Sequence, residues 1–262
     1  MTEQNKDAIA IEDLERLVTE DGSVTYRLKE RDITYRSRFG AIEESRRVFL
    51  DPSGIREHDG DIWKVVELGF GVATNFRNTA RFASEANLSL FYLAAEHAPI
   101  PSAAIEGDGV FDQMARDALD AARAKGYARV THALTSEDNN REITITLVVR
   151  VLDWLEITPT LEPDFYPCHA IYYDPFGPRD DEESWSPRHL KHAAGWLEPT
   201  GRLMTYSVAG KVRRGLQSAG LWVATLPGHI KREVLVACAD SATIDGLETL
   251  RSWAPKPDEE DQ

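Results

Sequence analysis

Glu67-Leu68-Gly69-Phe70-Gly71 joins an acid to two glycines within five residues. Such glycines let a backbone turn sharply and let a ligand come close to it. The acid lies at the end of one apolar run, residues 63–68, just before Leu68. Glu96 follows a second run, 88–95; Asp153 follows a third, 143–152; and Asp174 follows a fourth, 169–173. Ligands of open α/β sheets bind outside the carboxyl ends of the strands. A single acid there is an ordinary solvated loop residue, and the glycine turn alone is an ordinary strand-to-helix turn. Four acids at successive strand ends, with the glycine turn after the first, point to one shared small-molecule site.

These strand ends need a scaffold. Helical stretches at 75–85, 110–125, 187–196 and 208–219 alternate with the apolar runs, and further strands are expected at 203–207, 222–225 and 233–237. Strands alternating with helices imply a mainly parallel sheet covered on both faces. Ahead of it, the Asp21-Gly22-Ser23 turn precedes two short runs, 24–28 and 33–35, that read as a hairpin, and residues 40–50 read as an amphipathic helix. The expected organisation is an N-terminal hairpin and helix over 1–58 packed on a core over 59–250, with a flexible acidic tail at 251–262. Residues 99–140 read as a helical insertion and a candidate lid over the site.

The formal net charge of −14 sets a repulsive background for nucleic acid, whose binding rests on Lys and Arg. Lys211, Arg213, Arg214, Lys231 and Arg232 form a late basic cluster, which is either a phosphate-holding edge or a solvated helix face. The two cysteines, Cys168 and Cys238, build neither a disulfide framework nor a zinc motif, and the histidines show no ligand spacing, so no metal is expected. No apolar run reaches the ~18 residues of a membrane span. The acidic N-terminus lacks signal-peptide blocks, so a cytoplasmic location is expected.

The ligand is read from its chemistry. A nicotinamide dinucleotide brings a pyrophosphate and favours the full glycine triplet, but Ala73 stands at the third position. S-adenosylmethionine carries no phosphate and suits an acid such as Glu67 near its cationic end. Glu96 is placed to accept ribose hydroxyls, and Asp153 to face the adenine amino group. The Asp174-Pro175-Phe176 corner fits methyl transfer to nitrogen better than hydride transfer.

The chain resembles the methyltransferase half of MnmC and its stand-alone homologues. The pieces occur in order from about residue 21 to 237: Asp21-Gly22-Ser23; Tyr35; Gly40-Ala41-x-Glu43-Glu44-Ser45 with Val48-Phe49-Leu50; Glu67-x-Gly69-Phe70-Gly71-x-x-x-Asn75-Phe76; Glu96; Asp174-x-Phe176-x-Pro178 with Trp185; Thr205-Tyr206-Ser207; Val212-Arg213-x-x-Leu216; and Gly228-x-x-Lys231-Arg232-Glu233. The resemblance implies a Rossmann-like, seven-stranded methyltransferase fold. It implies S-adenosylmethionine held by Glu67, Gly69, Phe70, Gly71, Asn75, Glu96 and Asp153, with Asp174 beside the acceptor amine. It also implies a tRNA anticodon stem-loop as substrate, its wobble 5-aminomethyluridine methylated on nitrogen. Phe176, Trp185, Tyr206, Lys211, Arg213, Lys231 and Arg232 are the expected substrate contacts. Trp185 either stacks on a base or seals a helix, and Tyr206 either walls the pocket or simply packs. No oxidase domain follows, which suggests the stand-alone kind. A methyltransferase acting on a small amine is the alternative that the acidic 180–183 segment favours, and a non-catalytic cofactor-binding homologue is the third.

Overall fold

The computed structural model describes residues 9–135, 141–228 and 233–256. The chain opens with a small antiparallel sheet of β1 (Leu14–Val18), β2 (Val24–Leu28) and β3 (Ile33–Thr34). β2 and β3 are the expected hairpin. β1 was not expected, because Leu-Glu-Arg-Leu-Val breaks the two-residue alternation that marks a half-buried strand. Asp21 builds the turn between β1 and β2, accepting the Ser23 backbone N–H at 3.0 Å and the Thr19 hydroxyl at 2.6 Å. The helix expected at 40–50 is α1 (Ala41–Ser45), which runs into a π-helical turn over Arg46–Leu50. Val48, Phe49 and Leu50 of that turn are buried.

The core follows with β4 (Ile62–Leu68), α2 (Thr74–Glu85), β5 (Ser89–Ala95), α3 (Val110–Lys125), β6 (Tyr127–Thr135) and β7 (Glu142–Arg150). Then come β8 (Cys168–Tyr173), α4 (Pro187–Ala194), β9 (Leu197–Thr205), α5 (Gly210–Ser218), β10 (Trp222–Pro227), β11 (Glu233–Cys238), α6 (Ser241–Asp245) and β12 (Arg251–Trp253). The large sheet has nine strands in the order β12-β10-β11-β9-β8-β4-β5-β7-β6. The seven from β10 to β7 are the expected sheet. β6 and β12 each add an antiparallel strand at one edge, which corrects the expected count to nine. The tail expected to be flexible from 251 therefore begins with a paired strand.

The central strands β4, β5, β7, β8 and β9 run parallel. Helices cover both faces, so these strands are buried on both sides and read as nearly continuous apolar runs. On one face Phe76 and Ala80 of α2 and Met114 and Ala118 of α3 pack with Phe49 and Tyr26 of the N-terminal segment. On the other, Leu190 of α4 and Leu216 of α5 pack with Trp154, Trp185 and Trp196. Each fully buried large apolar side chain contributes roughly 1.5–3 kcal/mol.

Of the expected insertion at 99–140, the described residues 99–135 do not line the cleft as a lid, and 136–140 lie outside the described residues. α3 sits in the main core as the crossover between β5 and β7, and β6 extends the edge. The Asp112 carboxylate accepts the Gly109 N–H at 3.0 Å at the start of α3, and Gly126, with φ +76°, ends it. Among the described residues no helix is long and apolar enough to cross a membrane, and no cluster of three or more His, Cys, Asp or Glu could hold a metal.

Candidate active site

β4 has β5 on one side and β8 on the other, so the chain reverses its direction of winding there. Such a switch point opens a crevice at the carboxyl ends of the strands. The crevice here is a cleft of about 860 Å³. Its floor is the crossing of two turns. The Gly69 N–H bonds the Ala95 carbonyl at 3.0 Å, and the Asp174 N–H bonds the Leu68 carbonyl at 2.9 Å. Gly69 has φ +87°, and a Cβ there would stand 2.5 Å from the Asp174 carbonyl oxygen. Only glycine fits. Ala73, in place of a third glycine, takes the left-handed φ of +58°.

Glu96 ties this turn to the end of β5. Its carboxylate accepts the Gly71 N–H and the Ala98 N–H, both at 3.0 Å. Asp153, after β7, accepts the Leu155 N–H at 2.7 Å and lies 3.5 Å from His189 Nε2. Gly69, Gly71, Glu96, Asp153, Asp174, Phe176 and Tyr206 all line the cleft. The structure thus brings together residues from five separate strand ends and turns.

Three residues expected at the cofactor stand behind this surface. Phe70 is fully buried, its ring 6.3 Å from that of Phe76. Glu67 and Asn75 are fully buried as well. Asn75 Nδ2 donates to Glu67 Oε1 at 2.7 Å and to Asp174 Oδ2 at 2.9 Å. The Tyr92 hydroxyl donates to Glu67 Oε2 at 2.8 Å. Burial pushes the Glu67 carboxyl up to about 8, against the pull of Arg36. Burial likewise pushes Asp174 up to about 7, again against Arg36.

Arg36 is the residue that sequence reasoning missed. It is 6% exposed, and its guanidinium donates to Asp174 Oδ2 and lies 3.9 Å from Glu67 Oε1. A lone arginine between Tyr35 and Ser37 carries no sequence signal for this. The N-terminal segment supplies much of the cleft wall: Glu30, Arg31, Tyr35, Arg36 and Glu44 line it, and none of residues 99–135 does.

The expected substrate contacts divide. Phe176 faces the cleft, 5.2 Å from the Tyr35 ring, with the Arg31 guanidinium 5.7 Å from its centroid. The Tyr206 hydroxyl donates to the Pro175 carbonyl at 2.8 Å and so braces the corner. Trp185 is buried and its Nε1 donates to the Phe176 carbonyl at 2.7 Å. It seals the loop and is not presented for stacking on a base. Lys211 and Arg213 point different ways, as residues two apart on a helix must. Lys211 donates to the Pro178 carbonyl at 3.2 Å and lies 3.4 Å from Glu182; Arg213 lies over the Trp253 ring at 4.8 Å and bonds Gln217. They form no common edge. Lys231 and Arg232 lie outside the described residues.

The cleft suits an adenosyl ligand on its own terms. Carboxylates at the ends of β5 and β7 match the hydroxyl and amino donors of a nucleoside. The glycine turn lies against the Asp174 carbonyl and the Tyr35 ring, where a Cβ would clash, and the buried Tyr35 hydroxyl has no partner among the described residues. Residues 117–240 match the family Methyltransf_30, described as S-adenosyl-L-methionine-dependent methyltransferase. The chain is 30% identical over 233 residues, 85% of its own length, to the tRNA 5-methylaminomethyl-2-thiouridine biosynthesis bifunctional protein MnmC of Paracidovorax citrulli. It is 29% identical over 216 residues to the MnmC of Pseudomonas aeruginosa. It spans about a third of the length of these relatives, 34% and 31%. The crystal structure of MnmC2 from Aquifex aeolicus shares the fold, with a TM-score of 0.66 at 20% identity, covering 98% of this chain and 81% of that one.

The class is therefore defined: this chain is an S-adenosylmethionine-dependent methyltransferase. Within that class it resembles the methyltransferase domain of MnmC over most of its length.

Proposed function

We propose that the chain methylates the primary amine of 5-aminomethyluridine, or its 2-thio form, at the tRNA wobble position. One observation carries the assignment of the site: Asp174 lies on the floor of the same cleft that holds Glu96 and Asp153, beside the glycine turn. The relatives named for 5-methylaminomethyl-2-thiouridine biosynthesis supply the acceptor.

Gly69, Gly71, Glu96 and Asp153 hold S-adenosylmethionine in this reading, with Glu67 and Asn75 supporting the turn from behind. The cofactor supplies an electrophilic methyl group. The chain supplies position and a place for a proton. Asn75 and Arg36 both bond Asp174 at Oδ2, which leaves Oδ1 to accept an N–H of the acceptor amine and aim its lone pair. Accepting a methyl group would leave positive charge on the acceptor nitrogen. Asp174, poised near neutrality, takes the proton that nitrogen gives up. Phe176 and Tyr35 flank the acceptor.

A second reading is favoured by the wall of the cleft. Asp13, Glu30, Glu44, Asp181 and Glu183 line it in addition to the acids already assigned. That surface suits a small cationic amine better than a phosphate backbone. One experiment decides. tRNA bearing 5-aminomethyluridine and a panel of small primary amines are incubated with the enzyme and methyl-labelled cofactor, and the products are read by mass spectrometry. Label in the modified uridine supports the tRNA reading. Label only in a small amine replaces it with the second.

A further inference from the structure

Arg36 is a buried cation at the point where the acceptor amine is expected. An arginine guanidinium stays charged in proteins, so burying it requires a fixed partner. Asp174 is that partner. The segment carrying Arg36 is pinned on both sides: the Tyr35 N–H bonds the Tyr26 carbonyl at 2.9 Å, the Ser37 N–H bonds Glu44 at 2.9 Å, and Glu20 N–H bonds the Arg38 carbonyl at 3.0 Å. The Phe49 ring lies 5.7 Å from the guanidinium carbon. The backbone carrying Arg36 is therefore held by the N-terminal sheet and α1, and its side chain reaches Asp174 at the end of β8 in the core.

We propose that Arg36 is a positioning residue, which holds Asp174 ionised and oriented so that Oδ1 is turned to the acceptor amine. The proposal rests on the assignment of Asp174 to the acceptor. Arg36 and Asn75 together occupy Oδ2 and fix the plane of the carboxylate. Arg36 also opposes everything that would protonate it. Asp174 is buried, Glu67 and Glu44 stand near it as further acids, and the Tyr206 hydroxyl is engaged elsewhere, on the Pro175 carbonyl. A protonated Asp174 accepts poorly and takes no proton from nitrogen. The N-terminal extension thereby reaches into the chemistry of the core and completes it.

The test needs no acceptor. Protein labelled with carbon-13 at aspartate carboxyl carbons is titrated by NMR, and Asp174→Asn identifies the Asp174 signal. The wild-type midpoint is expected near neutral pH. Arg36→Met should raise it by about one unit or more, a tenfold gain in proton affinity, and Arg36→Lys by clearly less. The acid limb of kcat/KM for whichever amine is methylated should move with the NMR midpoint. An unmoved midpoint in a folded Arg36→Met protein overturns the proposal. If that variant does not fold, Arg36→Gln is read in its place, with the same expected rise and the same unmoved midpoint as refutation. Failure of tRNA methylation would remove the tRNA reading and leave this titration standing. Normal methylation with an unmoved midpoint would remove only the role of Arg36.

Discussion

Glu67 and Asp174 are carboxyls that burial makes reluctant to ionise, and they sit 8 and 99 residues from the amide, Asn75, that bridges them. Their consequences for activity and for stability differ in direction. Asp174 must be ionised to accept from the amine, so turnover should rise with pH through about 7. Asp174→Asn should abolish most turnover while calorimetry shows cofactor binding nearly unchanged; near-normal turnover would remove Asp174 from the chemistry. Glu67 acts on stability. Its carboxyl is raised to about 8 in the folded chain, so the folded state holds its proton more tightly than the unfolded one. The stabilisation is complete below the ordinary carboxylate range and is lost as pH rises through 8. Glu67→Gln should flatten that alkaline decline by an amount on the order of a few kcal/mol, measured by denaturant unfolding at several pH values. For the cofactor, Glu96→Ala should weaken binding by about 1–3 kcal/mol if Glu96 holds ribose hydroxyls as proposed, because those hydroxyls and the Gly71 and Ala98 N–H groups are then left unpaired. Unchanged affinity would take Glu96 out of the site.

At the scale of elements, the opposite end of β4 and β8 carries its own titrating device. His169 stacks on Trp63 with ring centroids 4.7 Å apart, packs against His58 at 4.8 Å, and accepts the Lys64 N–H at 2.9 Å. Burial, with His58 and Lys64 nearby, lowers its pKa to about 4. A depressed base keeps its contribution above its ordinary pKa and loses it as pH falls toward 4. The melting temperature should therefore drop between about pH 6.5 and 4, and His169→Gln should make that drop shallower. An identical acid limb in the variant would assign the loss to other groups. The same elements show what sequence patterns carry. β4, β5, β7 and β8 were legible because a parallel strand covered on both faces must be apolar throughout. Glu96, Asp153 and Asp174 were legible for the same reason, as acids just beyond an apolar run, whereas Glu67 is a buried acid within β4 itself. β1 and β6 were not, because edge strands are half exposed and tolerate charge: β6 alternates Arg129, Thr131 and Ala133 toward solvent. Arg36 was invisible because its meaning comes from Asp174, far away in the chain. The burial of Trp185 and the divergence of Lys211 and Arg213 depend on side-chain direction, which spacing alone does not fix.

For the whole molecule the deciding quantity is charge. The chain carries −14, and Asp181 and Glu183 stand at the cleft itself. Exposed charges beyond about 8 Å are largely screened at physiological salt, so the distant acids matter little and these two matter most. Lys211 is already engaged with Glu182 and the Pro178 carbonyl, and Arg213 faces β12, which leaves few cations to meet phosphates at this face among the described residues. tRNA binding should accordingly be weak, with a shallow dependence of log affinity on log salt, since that slope counts the phosphates neutralised. Replacing Asp181 and Glu183 with Asn and Gln then gives opposite results for the two acceptor classes. With tRNA, removing two like-signed charges should tighten binding, by a factor of several at low salt, on the scale of about 0.2–1 kcal/mol per exposed charge. With a small cationic amine, the same replacement removes attraction and should raise KM by a similar factor while kcat holds, because neither residue touches the reacting nitrogen in this assignment. The sign of the change, measured on one double variant with both acceptors, separates the two readings: tighter tRNA binding with retained methylation supports the wobble-uridine assignment, and a raised KM for an amine that is the only substrate methylated overturns it.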